Sequence, residues 1–292
     1  MLYGYSTSRR TTQRVVEAFI NGSNGTFVNI DQLRNGIPSD ATAVVSFGIL
    51  RGTADVYKQA ERKGVDYFHI DHAYYMAGHP GPDPWYRVSK NGINFKKLQK
   101  QWPSDRFNLY FKNAINIKPW TVKDNGYILV LPPTQPTAWY TQSEKWLDQT
   151  VQEIRRNTDR PIRVRHKPPV MVCDDKGFPL PKHIIEEKIR EMEPIVSKNS
   201  LQEDLENAYC VVAYNSGVVV DAIEQGIPVS CSDQAASYSM SFNLADINHA
   251  HILAQEPDRQ NWFNALAYHQ YKMSEMADGT AWNMIQEYYN EH

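Results

Sequence analysis

The sequence predicts an α/β protein built from two Rossmann-like domains, and three observations carry that expectation. The chain has 292 residues, more than one hydrophobic core usually serves, so two domains of roughly 100–150 residues each are expected. Short apolar, β-branched runs alternate with segments of helical period in both halves, the pattern of parallel strands joined by crossover helices. The composition, 41% hydrophobic and 22% charged, is that of a folded globular chain and excludes disordered, fibrous and coiled-coil classes.

In the first half, Ala43–Leu50 reads as a buried strand and Arg51-Gly52 ends it. Thr53–Lys63 reads as a helix with Thr53 as N-cap, and Tyr67–Ile70 as the next strand. The loop that follows, Asp71 to Tyr75, then lies at the carboxyl end of a parallel strand, where such sheets gather their ligands. Lys118–Gly126 holds Pro, Asn and Gly without an apolar period and predicts a boundary. The expected division is residues 1–122, residues 123–258, and helices over 259–292 that return to the N-terminal domain.

The second α/β unit opens with a strand at Tyr127–Leu131, followed by one helix over Ala138–Arg156 and a strand at Pro161–Val164. Its clearest part comes later. Leu201–Ala208 predicts a helix, Cys210–Tyr214 a strand, Ser216–Gln225 a helix closed by Gly226, and Ile227–Cys231 a further strand. From Arg259 onward the chain is helical by period and broken at Asp278-Gly279.

Cys173, Cys210 and Cys231 are odd in number and lack CxxC spacing, so neither a disulfide framework nor a zinc site is expected. No stretch of about 18 apolar residues occurs, and the start lacks a signal-peptide core, which predicts a cytoplasmic protein without a membrane partner. The net charge of −2 argues against a uniformly basic surface for nucleic acid, but two local runs are basic. Trp85–Pro103 interleaves Trp85, Tyr86 and Phe95 with Arg87, Lys90, Lys96 and Lys97 and holds no acid. Aromatic faces with cations suit flipped or single-stranded bases, so Trp85, Arg87, Lys96 and Lys97 are expected either to contact a nucleic-acid acceptor or to form a solvated basic face. The second run is Arg155–Lys167.

The most specific pattern is Asn215-Ser216-Gly217 at a strand-to-helix turn. With Asn215 as N-cap, free amides and the positive end of a helix dipole suit a phosphate, and Asp221, four residues beyond Gly217, faces the same side and suits ribose hydroxyls. Asp174-Asp175 is adjacent rather than spaced by one residue, so no DxD metal site is expected.

Ser216, Gly217, Asp221, Gly226 and Pro228 resemble the nucleotide-binding segment of GT-B glycosyltransferases. The form with Ser or Asn before Gly is similar to capsule-type and Kdo-type transferases, although the family more often has Glu where Asp221 stands. The resemblance implies two Rossmann-like domains facing a cleft, with C-terminal helices packing back on the N-terminal domain. It implies metal-independent transfer from a nucleotide-sugar co-substrate, UDP- or CMP-linked, with no other cofactor. Thr134, Gln135 and Thr137 hold the places of the donor loop. Arg165, His166 and Lys167 hold those of the basic strand end, and Asp71 or His72 that of the base. Arg51 matches an acceptor or donor contact. Gly48–Gly52, Tyr67–Tyr75, Trp85–Gly92 and Trp262–Trp282 look like phage-associated transferases of nucleobase modification. That likeness implies a hydroxylated DNA base as acceptor, with a cell-surface polysaccharide as the alternative. An epimerase of the same fold and a DNA-binding module without activity are the other classes.

Overall fold

A computed structural model of the chain describes residues 1–76, 81–95, 101–167, 180–181, 183–184, 187 and 197–290. Lys96, Lys97, Cys173, Asp174 and Asp175 lie outside the described residues. In chain order the elements are β1 (Leu2–Ser6), α1 (Arg10–Gly22), β2 (Thr26–Asn29), β3 (Ala43–Phe47), α2 (Thr53–Lys63), β4 (Asp66–His72) and β5 (Trp85–Lys90). Then come α3 (Asp105–Tyr110), β6 (Tyr127–Leu131), α4 (Gln135–Thr141), α5 (Trp146–Asn157) and β7 (Ile162–Val164). After these follow α6 (Leu201–Glu206), β8 (Ala208–Ala213), α7 (Val218–Glu224), β9 (Val229–Cys231) and α8 (Ala250–Leu253). The last are α9 (Arg259–Tyr268), β10 (Gln270–Lys272), α10 (Met273–Ala277) and α11 (Thr280–Asn290). Among the described residues no helix is long and apolar enough to cross a membrane.

The chain divides into two compact α/β units, Met1–Phe95 with Leu266–His292, and Lys96–Ala265. The division falls after Phe95 rather than near Lys118–Gly126, because the intervening segment is captured by the second unit. The Trp102 amide donates to Asn261 Oδ1 (2.7 Å), and the Lys118 and Thr121 amides donate to the carbonyls of Glu224 (2.8 Å) and Gly226 (2.9 Å).

The first unit carries a six-stranded sheet in the order β10-β5-β4-β3-β1-β2. Strands β2, β1, β3 and β4 are parallel, and β5 runs antiparallel to both β4 and β10. Alternation along β4 sends Phe68 and Ile70 into a core with Val16 and Phe19 of α1, and Tyr67 into the opposite core with Val56 and Ala60 of α2. The C-terminal helices do return to this unit. The ring of Trp282 stands edge-on to Phe19 and Phe68, with centroids 5.8 and 5.4 Å away. Gly22 allows the approach, since a Cβ there would collide with the backbone of Met276 and Gly279. The short strand β10 interrupts what the sequence suggests is continuous helix. It forms because the edge of β5 offers unpaired backbone, and Tyr271 pairs with Tyr86 across it.

The second unit has a four-stranded parallel sheet in the order β7-β6-β8-β9. Ile128, Val130, Val164, Cys210 and Val212 fill its core against Ile154 of α5. The helix expected over Ala138–Arg156 is two helices, because Gln142 takes left-handed angles (φ 55°, ψ 42°) and ends α4. Thr53 is not a cap either: Gly52 holds that position, and the Thr53 hydroxyl donates back to the Leu50 carbonyl (2.7 Å).

Candidate functional site

In the second unit the chain leaves β6 to form β7 on one side and returns to form β8 on the other, so the order reverses between β6 and β8. In an open parallel sheet the loops beyond the carboxyl ends of two such strands diverge and leave a crevice. Leu131 pairs with Ala213 and Val130 with Val164. The loops Thr134–Gln135, Arg165–Lys167 and Asn215–Gly217 therefore leave one sheet edge at nearly one level.

The Asn215–Gly217 turn differs in detail from the expected cap. The helix starts at Val218, Gly217 occupies the cap position, and Ser216 Oγ accepts from the Val218 amide (3.3 Å). Asn215 is not the cap. With only seven residues, α7 has a weaker dipole than the longer helix expected, so loop amides and cations must do more of any anion binding. Gly217 has ordinary helical angles (φ −63°, ψ −20°), and a Cβ there would meet nothing within 4 Å. Neither backbone strain nor internal packing demands this glycine, and the space before it is open. Asp221, one turn further, is exposed. The surrounding protein, with the Glu224 carboxylate adding to it, pushes its pKa up to about 6. Thr134 Oγ1 lies 2.8 Å from Thr137 Oγ1, which fixes the loop after β6, with Gln135 opening α4.

Of the three basic candidates, Arg165 has an internal duty. Its Nη1 donates to Asp204 Oδ2 (2.9 Å) and to the Asn199 carbonyl (2.8 Å). Asp204 is fully buried and also accepts from Ser197 Oγ (2.8 Å) and Tyr127 Oη (3.1 Å). Arg163 Nη1 also pairs with Asp204, at 3.4 Å from Oδ1, so two guanidinium groups share this buried carboxylate, and drawing Arg165 away to a phosphate would give up the closer of the two pairs. Burial lowers the pKa of His166, which makes it a neutral hydrogen-bonding group near pH 7. Lys167 is exposed, the one of these three basic side chains that is open to solvent.

In the first unit Asp71 and His72 end β4 and, being adjacent on a strand, point to opposite faces of the sheet. Asp71 faces the α2 side, where Arg87 Nη2 donates to its Oδ2 (3.0 Å) and the His72 amide to its Oδ1 (2.7 Å). Burial alone would raise the Asp71 pKa. Arg87, His69 and the His72 amide outweigh it and hold the carboxyl well below the usual range. His72 is exposed on the α1 side, its ring edge-on to Phe47 at 5.7 Å. Arg51, in the turn between β3 and α2, takes φ 59°, an uncommon conformation for a residue with a side chain.

The expected aromatic platform of the first basic run is absent. Trp85, Tyr86 and Phe95 are buried, so their faces serve the core rather than bases. Arg87 is paired with Asp71, and Lys90 with Asp66 at 2.8 Å. Among the described residues no group of three or more His, Cys, Asp or Glu side chains is placed to hold a metal ion.

No family model matches this chain, and no curated protein matches it. Among solved structures, the chain is similar to the β-Kdo 2,7 transferase of Thermosulfurimonas dismutans KpsC, at 14% identity over 100% of this chain and 99% of that one, with a TM-score of 0.49. The β-Kdo 2,4 transferase of the same KpsC gives 12% identity over 91% of each chain and a TM-score of 0.48. A Listeria monocytogenes protein assigned as a UDP-N-acetylglucosamine 2-epimerase gives 11% identity over 100% and 97%, with a TM-score of 0.28.

Residue patterns alone did not single out Ser46, Tyr67 or His69, which stand behind Asp71, or Asp204, which claims Arg165. His69 and Asp71 are two apart on a strand, and that period was the one available signal that they share a face.

Proposed function

We propose that the chain is a glycosyltransferase that takes its sugar from a nucleotide donor held at the β6/β8 switch point of the second unit. The observation that carries this reading is Gly217, an open glycine that the fold does not need, set between Ser216 and Asp221 at the carboxyl edge of a parallel sheet. In this reading the loop amides and Lys167 hold the phosphates, Thr134 and Gln135 border them, and ionised Asp221 accepts from the ribose hydroxyls. The acceptor oxygen attacks the anomeric carbon, the bond from that carbon to the donor phosphate breaks, and the nucleotide leaves with the electron pair.

The acceptor proton goes to a base in the first unit. We assign that role to His72, which is exposed and, among the described residues, outside any ion pair, rather than to Asp71, whose basicity Arg87 suppresses. Transfer is expected to persist in EDTA, with Lys167 and the loop amides facing the leaving phosphate.

The test is incubation with a panel of UDP- and CMP-sugars together with DNA containing hydroxymethylated bases, or with capsule-type oligosaccharides, read by mass spectrometry. A sugar mass on either acceptor that is lost in His72→Ala supports the reading. The acceptor that gains the mass distinguishes DNA from glycan, and in the DNA case Lys96→Ala with Lys97→Ala should weaken binding. Donor recovered unchanged with every acceptor, or recovered as an epimer, overturns it.

A further inference from the structure

Behind Asp71 lies a polar string inside an otherwise apolar core. Tyr67, His69 and Asp71 alternate along β4 onto one face. Ser46 of β3 stands in register with His69, and Arg87 of β5 in register with Asp71. Ser46 Oγ and Tyr67 Oη are 3.0 Å apart, Tyr67 Oη and His69 Nδ1 3.1 Å, and His69 Nε2 and Asp71 Oδ2 3.7 Å. Ser46, Tyr67 and His69 are at most 1% exposed. Polar groups in such a place cost stability unless each is satisfied, and a purely structural filler would need no imidazole aimed at a carboxylate.

The string has a preferred direction. A neutral imidazole carries its proton on one nitrogen, and a lone pair on Nε2 would face the Asp71 anion. The favourable tautomer has N–H at Nε2 and an acceptor at Nδ1, so Tyr67 donates to His69 and Ser46 donates to Tyr67. Arg87 supplies a full positive charge beside Asp71 and disfavours a second on His69. Burial acts in the same sense, lowering the His69 pKa.

We propose that His69 is a positioning residue, fixed in its Nε2–H tautomer by Tyr67 and Ser46, that sets the Asp71 carboxylate and through it the backbone of His72. Asp71 Oδ2 is aligned between Arg87 and His69, which leaves Oδ1 to hold the His72 amide at 2.7 Å. The geometry of the string stands on its own, whereas its value to a reaction rests on the assignment of His72 as base.

Two arms test it. Nitrogen-15 NMR of histidine-labelled protein is expected to show the wild-type His69 proton on Nε2. Tyr67→Phe, which removes a single oxygen and keeps the packing, is expected to mix the tautomers and shift the His72 amide resonance. With whichever donor and acceptor show transfer, His69→Leu is expected to lower kcat by about tenfold to a hundredfold, as for a misplaced reacting group. Donor KM should stay unchanged, and His69→Gln, which keeps an N–H toward Asp71, should recover most of the rate. A wild-type proton on Nδ1, or a His72 amide unmoved by Tyr67→Phe, overturns the proposal. So does an equal loss in Gln and Leu. If no nucleotide sugar is turned over, the assigned function fails while the NMR arm still decides the role of His69.

Discussion

Arg87 and Asp71 face each other across the β4–β5 ladder, with guanidinium Nη2 3.0 Å from carboxylate Oδ2. The pair ties the end of a parallel strand to an antiparallel neighbour, one residue before the exposed His72. Because the folded-state pKa of Asp71 lies below its unfolded value, the pair's stabilisation is complete above about pH 4 and is lost as pH falls further. Arg87→Met is expected to lower stability at neutral pH by about 1–3 kcal/mol and to flatten the acid loss below pH 4. Urea melts from pH 2.5 to 7 check this, and parallel pH profiles of wild type and variant would exclude it.

Asp221 behaves in the opposite sense. An acid whose pKa is raised on folding, here to about 6, keeps its proton longer than the unfolded chain does. Its ionisation therefore costs stability as pH rises from about 4 to 6. If ionised Asp221 accepts from the donor ribose, donor affinity should strengthen between pH 5 and 7, and Glu224→Gln should move that midpoint to lower pH. Calorimetric titration of the donor across this range gives the answer. An affinity independent of pH removes Asp221 from the site.

Gly217 and Gly226 should respond differently to a single methyl group. Gly226 sits at φ 75°, with the backbone of Pro119 and Trp120 against the position a Cβ would take. Gly226→Ala should cost more than about 2 kcal/mol. Gly217→Ala meets neither obstacle and should leave stability unchanged or raise it by up to about 1 kcal/mol, while weakening donor binding at least about tenfold. Thermal melts paired with donor titrations separate the two effects, and a Gly217→Ala protein with wild-type donor affinity removes the main support for the switch-point site.

The second basic run should divide by role. Arg165→Leu removes the closer of the two guanidinium groups on Asp204 and leaves Arg163 at 3.4 Å, and is expected to destabilise the second unit by about 1–3 kcal/mol. Lys167→Ala should raise donor KM without lowering the melting temperature. Melting curves and donor kinetics on both proteins check the division, and the reverse assignment would return Arg165 to the phosphates.

What the sequence made legible follows from the range of the interactions involved. Tyr127–Leu131 and the strand expected at Cys210–Tyr214 announce themselves because a strand buried on both faces must be apolar throughout, although the second starts two residues earlier, at Ala208, where the sequence suggests the end of a helix. Strand β10 does not, since Gln270–Lys272 is extended only because β5 leaves it an edge. The break at Gln142 carries no glycine or proline to mark it. At the site, the loop positions and the Gly217–Asp221 spacing are local and were readable. The pairing of Asp71 with Arg87 depends on strand register, and the capture of Arg165 by Asp204 spans 39 residues. Local pattern shows a charge without showing its partner, which is why Arg165 resembled a ligand group until the fold was known.

The return of residues Leu266–His292 to the first unit has a consequence for how the protein is made. Strand β10 and the Trp282 contact to Phe19 and Phe68 complete a core whose other strands were translated nearly two hundred residues earlier. During synthesis the N-terminal unit must wait, its β5 edge unpaired, while the whole second unit emerges and can fold ahead of it. A stop codon or proteolytic nick close to the end of the chain would damage the beginning of the protein more than its middle. An isolated N-terminal unit would be obtained by fusing residues 266–292 to residues 1–95 through a linker, rather than by truncation.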